Sequence, residues 1–265
     1  MFFSRKKRPI FILGCQRSGT TIGVKLFRES NQFEVHGEGS TAAMRRYVRL
    51  RPFCDIQRII KQSRKRFVVF KPLNDSHRAD ELLEHFNNSR VIWFYRNVFD
   101  VVNSALVKWN NTHQQTVSFI TDNIRKYGSV DAAMPVICQK PRAAIYAERL
   151  DPQIIERLLE WTTKPISAET GSAIMWYLRN SIFFDLTLDN DKRALLVKYE
   201  DFATSPVSEV QRICKFLKAP YTDALSQLIR SSSIGKSSAP QIAPDVLSAC
   251  EQLTDRFSTV LEEAP

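Results

Sequence analysis

The sequence predicts an α/β protein, a parallel β-sheet flanked by helices with a helical excursion at about 110–190. Three observations carry that prediction. Short apolar runs rich in β-branched and aromatic residues recur along the chain, and their apolarity is continuous rather than alternating, as in strands covered on both faces. Helical patterns fill the intervals, the alternation that builds a parallel sheet wrapped by helices. The first run opens directly into Gly14-Cys15-Gln16-Arg17-Ser18-Gly19-Thr20-Thr21, a phosphate-sized loop at a helix start, so the sheet is of the P-loop type.

In chain order, strands are expected at residues 9–13, 67–70, 91–95 and 194–197, with a weaker one at 33–35. Helices are expected at about 19–30, 41–50, 55–65, 76–87, 98–109 and 169–186. Residues 110–165 fit the sheet less well: they offer helices near 115–127 and 152–162 and no clear strand, which reads as the excursion that shapes a substrate cleft. Ser205-Pro206 then opens a helix whose apolar face is Val207, Val210, Cys214 and Leu217, with proline at the first turn where its missing N–H does no harm. No Pro/Gly/Ser-rich linker, repeat or low-complexity tract divides the chain, so a single domain spanning 1–265 is expected.

The formal net charge is +10 and it is unevenly placed: residues 1–108 hold 21 Lys+Arg against 9 Asp+Glu, and the rest is slightly acidic. The basic part contains the phosphate-sized loop. This fits a highly anionic ligand, nucleic acid or an acidic surface, although for any one cluster an ordinary solvated basic face serves as well. Five cysteines lie scattered without a C-x-x-C pair, and the four histidines show no metal-ligand spacing, which fits a reducing compartment. No apolar run is long enough to span a bilayer and no secretion signal is recognisable, so the expected location is cytoplasmic, with peripheral membrane contact left open. Asn74-Asp75-Ser76 and two other glycosylation sequons are therefore treated as chance matches.

Ligands of such folds collect at the carboxyl ends of the strands. Those ends carry Gly14 to Thr21, His36 to Glu38, Lys71, Arg96, and Tyr199 with Glu200. The loop follows the Walker A spacing with Thr20 in place of the lysine that reaches the β- and γ-phosphates, which argues against a nucleoside triphosphate. Arg96 precedes Asn97 and Asp100, a capping pair for the next helix, and Ser104 falls eight positions after Arg96, two helical turns on. Lys236 stands in a Ser/Gly-rich stretch suited to close over a phosphate, or to link to the last helix.

In combination these segments resemble the signatures of the sulfotransferases that use 3′-phosphoadenosine 5′-phosphosulfate (PAPS). Gln-Arg-Ser-Gly-Thr-Thr after the first strand is similar to the segment that binds the 5′-phosphosulfate, and Arg96-x7-Ser104 to the one that binds the 3′-phosphate. Lys198-Tyr199-Glu200-Asp201-Phe202 resembles the family's Tyr-Glu-Asp stretch, and Ile234-Gly235-Lys236 its late basic loop. The tyrosylprotein-sulfotransferase-like branch and its bacterial relatives are closer still. That branch has a Gly-Glu pair twenty-one positions after the loop arginine, matched by Gly37-Glu38 after Arg17. It also has a lysine before a proline about twenty-five ahead of the 3′-phosphate arginine, matched by Lys71-Pro72 ahead of Arg96. Gln16 and Val98 replace two prolines of the family pattern, and the anchor and disulfides of the secretory-pathway enzymes are missing.

The resemblance implies an in-line transfer of the sulfuryl group to an acceptor hydroxyl, with 3′-phosphoadenosine 5′-phosphate (PAP) as product and no metal. Glu38, Lys71 and Arg17 would be catalytic, Glu38 as general base. Arg17, Ser18, Gly19, Thr20, Thr21, Arg96, Ser104, Tyr199 and Lys236 would hold the donor, with Tyr199 against the adenosine. His36 is a rival base two residues from Glu38, and the interval from Arg17 favours Glu38. A small-molecule, carbohydrate, lipid or peptide hydroxyl fits as acceptor, and nucleic acid is not expected as a partner. The alternatives are a P-loop kinase acting on a small molecule and a binding module for nucleic acid or acidic surfaces built on the basic half.

Overall fold

The computed structural model describes residues 6–227, 229 and 238–263. Its strands in chain order are β1 (Arg8–Gly14), β2 (Phe33–His36), β3 (Met44–Arg45), β4 (Arg49–Leu50), β5 (Phe67–Phe70), β6 (Arg90–Tyr95) and β7 (Ala194–Lys198). The helices are α1 (Thr20–Arg28), α2 (Phe53–Gln62), α3 (Ala79–His85), α4 (Val98–Trp109), α5 (Thr112–Tyr127), α6 (Val130–Ile137), α7 (Pro141–Ala147), α8 (Pro152–Trp161), α9 (Ala168–Asp185), α10 (Tyr199–Thr204), α11 (Pro206–Leu217), α12 (Asp223–Ser226) and α13 (Pro244–Glu262). Two compact units result, Met1–Arg96 with Leu186–Ile234, and Asn97–Asp185 with Gly235–Pro265.

The first unit is built on a five-stranded sheet in the order β2-β5-β1-β6-β7, every pair parallel. The strand β1 takes the centre, with Phe11 in register with Phe70 on one side and Leu13 with Trp93 on the other. Ile10 to Leu13 and Val68 to Phe70 have no exposed surface, which is why these runs are apolar throughout. Phe11 stacks on Phe70 with ring centroids 5.7 Å apart, and truncating a ring so placed to alanine costs about 3–5 kcal/mol. Because all five strands run the same way, His36, Phe70, Gly14, Tyr95 and Lys198 end at one edge, where the site residues follow.

Three expectations are corrected in this unit. Residues 41–50 form no helix: β3 and β4 pair antiparallel across a 3-10 turn at Arg46–Val48. The buried carboxylate of Asp75 accepts hydrogen bonds from the Leu50 amide at 2.6 Å and the Arg49 Nε at 2.8 Å, a tertiary contact that outweighs local propensity. In α11, Val207 is half exposed and Ile213 takes its place on the buried face with Val210, Cys214 and Leu217. The helix expected at 76–87 starts instead as a 3-10 helix at Leu73–Arg78, where the Ser76 hydroxyl donates to the Leu73 carbonyl at 2.8 Å.

The second unit is helical, and its run from Thr112 to Asp185 is the expected excursion. Asn97 caps α4, its side chain accepting from the amides of Phe99 and Asp100. Residues 130–147 carry α6 and α7, which no periodicity announces because Pro135 sits inside the one and Pro141 opens the other. At the middle lies α9, buried on all sides, with Trp176 wholly in the core. Gly171 lets α5 approach α9, for a Cβ there would lie 2.5 Å from the Gln114 Cα. On α13, Phe257 meets Phe183 and Phe184 of α9 at 5.6 and 4.9 Å.

Candidate active site

The loop after β1 is held in a shape that few residues tolerate. Gly14 has φ 123°, and a Cβ there would sit 2.1 Å from the Phe94 carbonyl oxygen of the neighbouring strand. Gly19 caps α1 with φ 84°, and a Cβ on it would fall 2.2 Å from the Tyr199 ring. Between them Arg17 adopts φ 68°, a left-handed conformation that costs a non-glycine residue roughly 1–2 kcal/mol, and its side chain is exposed. No acidic residue lies in the first turn of α1. The Ser18 hydroxyl is fully buried and has no hydrogen-bond partner. A buried orphan hydroxyl, free helix-start amides and a helix dipole together suit a phosphate or phosphosulfate oxygen.

Beside this loop, Lys71 emerges from the end of β5, its amide bonded to the His36 carbonyl at 3.1 Å. Its Nζ lies 2.8 Å from Glu38 Oε1 and donates to Thr21 Oγ1 at 2.9 Å. One ammonium thus links the loop, through Thr21, to the expected base. The Lys71 side chain is buried while 43% of the Glu38 side chain is exposed, so the carboxylate faces outward from a buried anchor. His36 is occupied at both ring nitrogens, with Nε2 2.8 Å from Glu34 Oε1 and Nδ1 3.0 Å from Ser40 Oγ, and it stacks on Phe70.

Arg96 follows β6 and is buried, its guanidinium 4.5 Å above the Tyr199 ring. Tyr199, at the start of α10, is buried as well and presses against Gly19. The tyrosine therefore joins the phosphate loop to Arg96. Ser104 lies two turns into α4 and is partly buried; Lys236 lies outside the described residues.

No sequence signal singles out the residues that support the loop from behind. Ser76 Oγ accepts from the Gly14 amide at 3.1 Å, and Gln16 Nε2 donates to Asn74 Oδ1 at 3.0 Å. Both partners belong to the sequon Asn74-Asp75-Ser76, whose Asp75 and Ser76 are fully buried. Their only linear signal is that they follow Lys71-Pro72. Gly23 is a further silent contact, since a Cβ there would meet the Phe94 ring at 2.6 Å.

A parallel sheet with a lysine-free loop after its central strand, and a carboxylate ion-paired to a lysine beside it, fits an enzyme of P-loop-like fold that handles a phosphorylated donor. The sequence matches the sulfotransferase domain model over residues 7–243, and the chain belongs to that family. It is accordingly a PAPS-dependent enzyme that moves a sulfuryl group to an acceptor hydroxyl and releases PAP, and the kinase alternative is set aside. Among solved structures, the chain is similar to the sulfotransferase domain of the Synechococcus PCC 7002 olefin synthase. The two share 13% identity over 94% of this chain and 95% of that one, at TM-score 0.55. The sulfotransferase domain of the curacin biosynthetic pathway is comparable, at 14% identity, 95% and 99% coverage and TM-score 0.50. At such identities the likeness is one of fold. A comparison with curated protein sequences found no match.

Proposed function

We propose that Glu38 is the general base of sulfuryl transfer and that Lys71 couples it to the donor. The observation that carries this reading is the Glu38–Lys71–Thr21 chain at 2.8 and 2.9 Å. The acceptor oxygen attacks sulfur as Glu38 takes its proton; the bond from sulfur to the bridging oxygen breaks, and PAP leaves with the electron pair. Lys71 and Arg17 offset charge on the sulfuryl and bridging oxygens, a role in which preorganised donors are worth several kcal/mol. Ser18, Gly19, Thr20 and Thr21 hold the 5′ end of the donor. Arg96 binds the 3′-phosphate, with Tyr199 fixing its guanidinium against the loop. Ser104 and Lys236 keep the cofactor-binding role that the resemblance gives them. His36, engaged at both nitrogens, serves as a support for the segment carrying Glu38.

The family match runs through both compact units, which supports one sulfotransferase domain over 1–265. None of the five cysteines forms a disulfide, in keeping with a cytoplasmic enzyme; no helix among the described residues is long and apolar enough to cross a membrane. The test is labelled-sulfate transfer from PAPS across alcohol, phenol, sugar and peptide acceptors with wild type and Glu38→Gln. The expected result is a 10²- to 10⁴-fold loss of turnover, the usual share of a general base, with the PAP-induced rise in melting temperature retained. Full turnover in Glu38→Gln would hand the proton to another group.

A further inference from the structure

The helical unit buries a cation that the transfer mechanism does not use. Arg179 lies in the second half of α9 and is 1% exposed. Its Nε, Nη1 and Nη2 all lack a hydrogen-bond partner, and among the described residues it forms no ion pair. The Tyr146 ring of α7 lies 4.7 Å from its guanidinium carbon. A ring face offsets only part of the cost of taking a guanidinium out of water. Arginine stays charged even when buried, so this group demands an anion.

Other polar groups on the same helix are also unsatisfied. Ser172 Oγ and Asn180 Oδ1 are buried without partners, which with the three Arg179 nitrogens makes five such atoms on α9. Ser172 and Arg179 are seven residues apart, two turns, and so share one stripe of the helix. Buried polar groups in native proteins are paired almost without exception. A concentration of orphans on one buried helix marks a missing partner. With a planar fork of donors on one side and an aromatic wall on the other, the matching chemistry is a planar carboxylate that takes two parallel N–H bonds.

We propose that Arg179 is the receptor of a carboxylate group inside the helical unit. The probe is a free carboxylate anion: thermal melts at fixed ionic strength compare benzoate with its neutral isostere benzamide, and PAP binding, measured in parallel, reports separately on the transfer site.

The expected result is that a carboxylate raises the wild-type melting temperature by roughly 5 °C or more at a hundredfold excess over its Kd, and its amide does not. The rise vanishes in Arg179→Met and weakens in Arg179→Lys, which keeps the charge without the fork; should the methionine variant not fold, the lysine variant decides. Benzoate that stabilises wild type no more than benzamide does, or that stabilises the variants equally, overturns the proposal.

Discussion

Lys71 and Arg179 are both cations withdrawn from water, 4% and 1% exposed, but they sit in very different company. Lys71 ends a parallel strand, and the neighbouring strand delivers Glu38 and the loop delivers Thr21 within 2.9 Å of its ammonium. Arg179 lies within a helix, where the next turn carries no carboxylate: the Asn180 amide NH2 and the Ser181 hydroxyl donate to the backbone, and Ile182 and Phe183 are apolar. Parallel strand ends are a shared edge where charges from distant sequence positions meet. A buried helix has no such edge, so a cation on it waits for something from outside the chain.

The largest expected effect breaks the paired side of this contrast. In Lys71→Ala the donor loses a preorganised cation and Glu38 loses its anchor. We expect kcat to fall by about 10²–10³, the usual consequence of deleting one such donor. Lys71→Arg should recover only a part, because a fork does not reproduce a point charge aimed at both Glu38 and Thr21. Single-turnover sulfate transfer measures this directly; a drop of less than tenfold would remove Lys71 from the mechanism.

A second prediction probes the helical unit through acid. His113 on α5 is buried with its Nδ1 unpartnered, and its pKa is lowered to about 4 by desolvation and, less, by Arg142. The unfolded chain takes up a proton below about 6.5 while the folded one resists until about 4, so stability falls as pH falls across that window. Between pH 7 and pH 4 the wild type should lose about 3 kcal/mol more than His113→Gln. Asp185, raised to about 6 by desolvation and Asp151, titrates nearby with the opposite sign, so the difference between the two proteins isolates the histidine. Urea melts at both pH values supply it, and equal losses would show that the ring is not held neutral by burial.

The same contrast explains how much was legible in the sequence. The α/β unit reads along the chain because its strands are continuous apolar runs and its candidate site residues come just after them: Arg17, Glu38, Lys71, Arg96 and Tyr199 all stand there. Intervals between such residues survive as linear spacing. What did not read is what depends on packing across the sheet. Ser76 behind Gly14, the Asp75 carboxylate that turns 49–50 into a strand, and Phe94 against Gly23 carry no periodic or spacing signal. In the helical unit, burial of α9 on every face erases the amphipathic stripe that would have shown which side Arg179 occupies.

The smallest effect compares two buried serines. Ser76 Oγ accepts from the Gly14 amide and donates to the Leu73 carbonyl, whereas Ser172 Oγ has no partner. Removing a hydroxyl that satisfies a buried donor leaves that donor orphaned, at about 1–2 kcal/mol, while removing one that is itself an orphan costs little or stabilises. Ser76→Ala should therefore lower the melting temperature by roughly 2–6 °C and raise the KM for PAPS with little change in kcat, because Gly14 sets the loop. Ser172→Ala should leave the melting temperature unchanged or raise it. Equal losses in the two variants would mean that Ser172 has a partner in solution, and a carboxylate held at Arg179 is the first group to look for: repeating the Ser172→Ala melt with benzoate would then show a smaller anion-induced rise than in wild type.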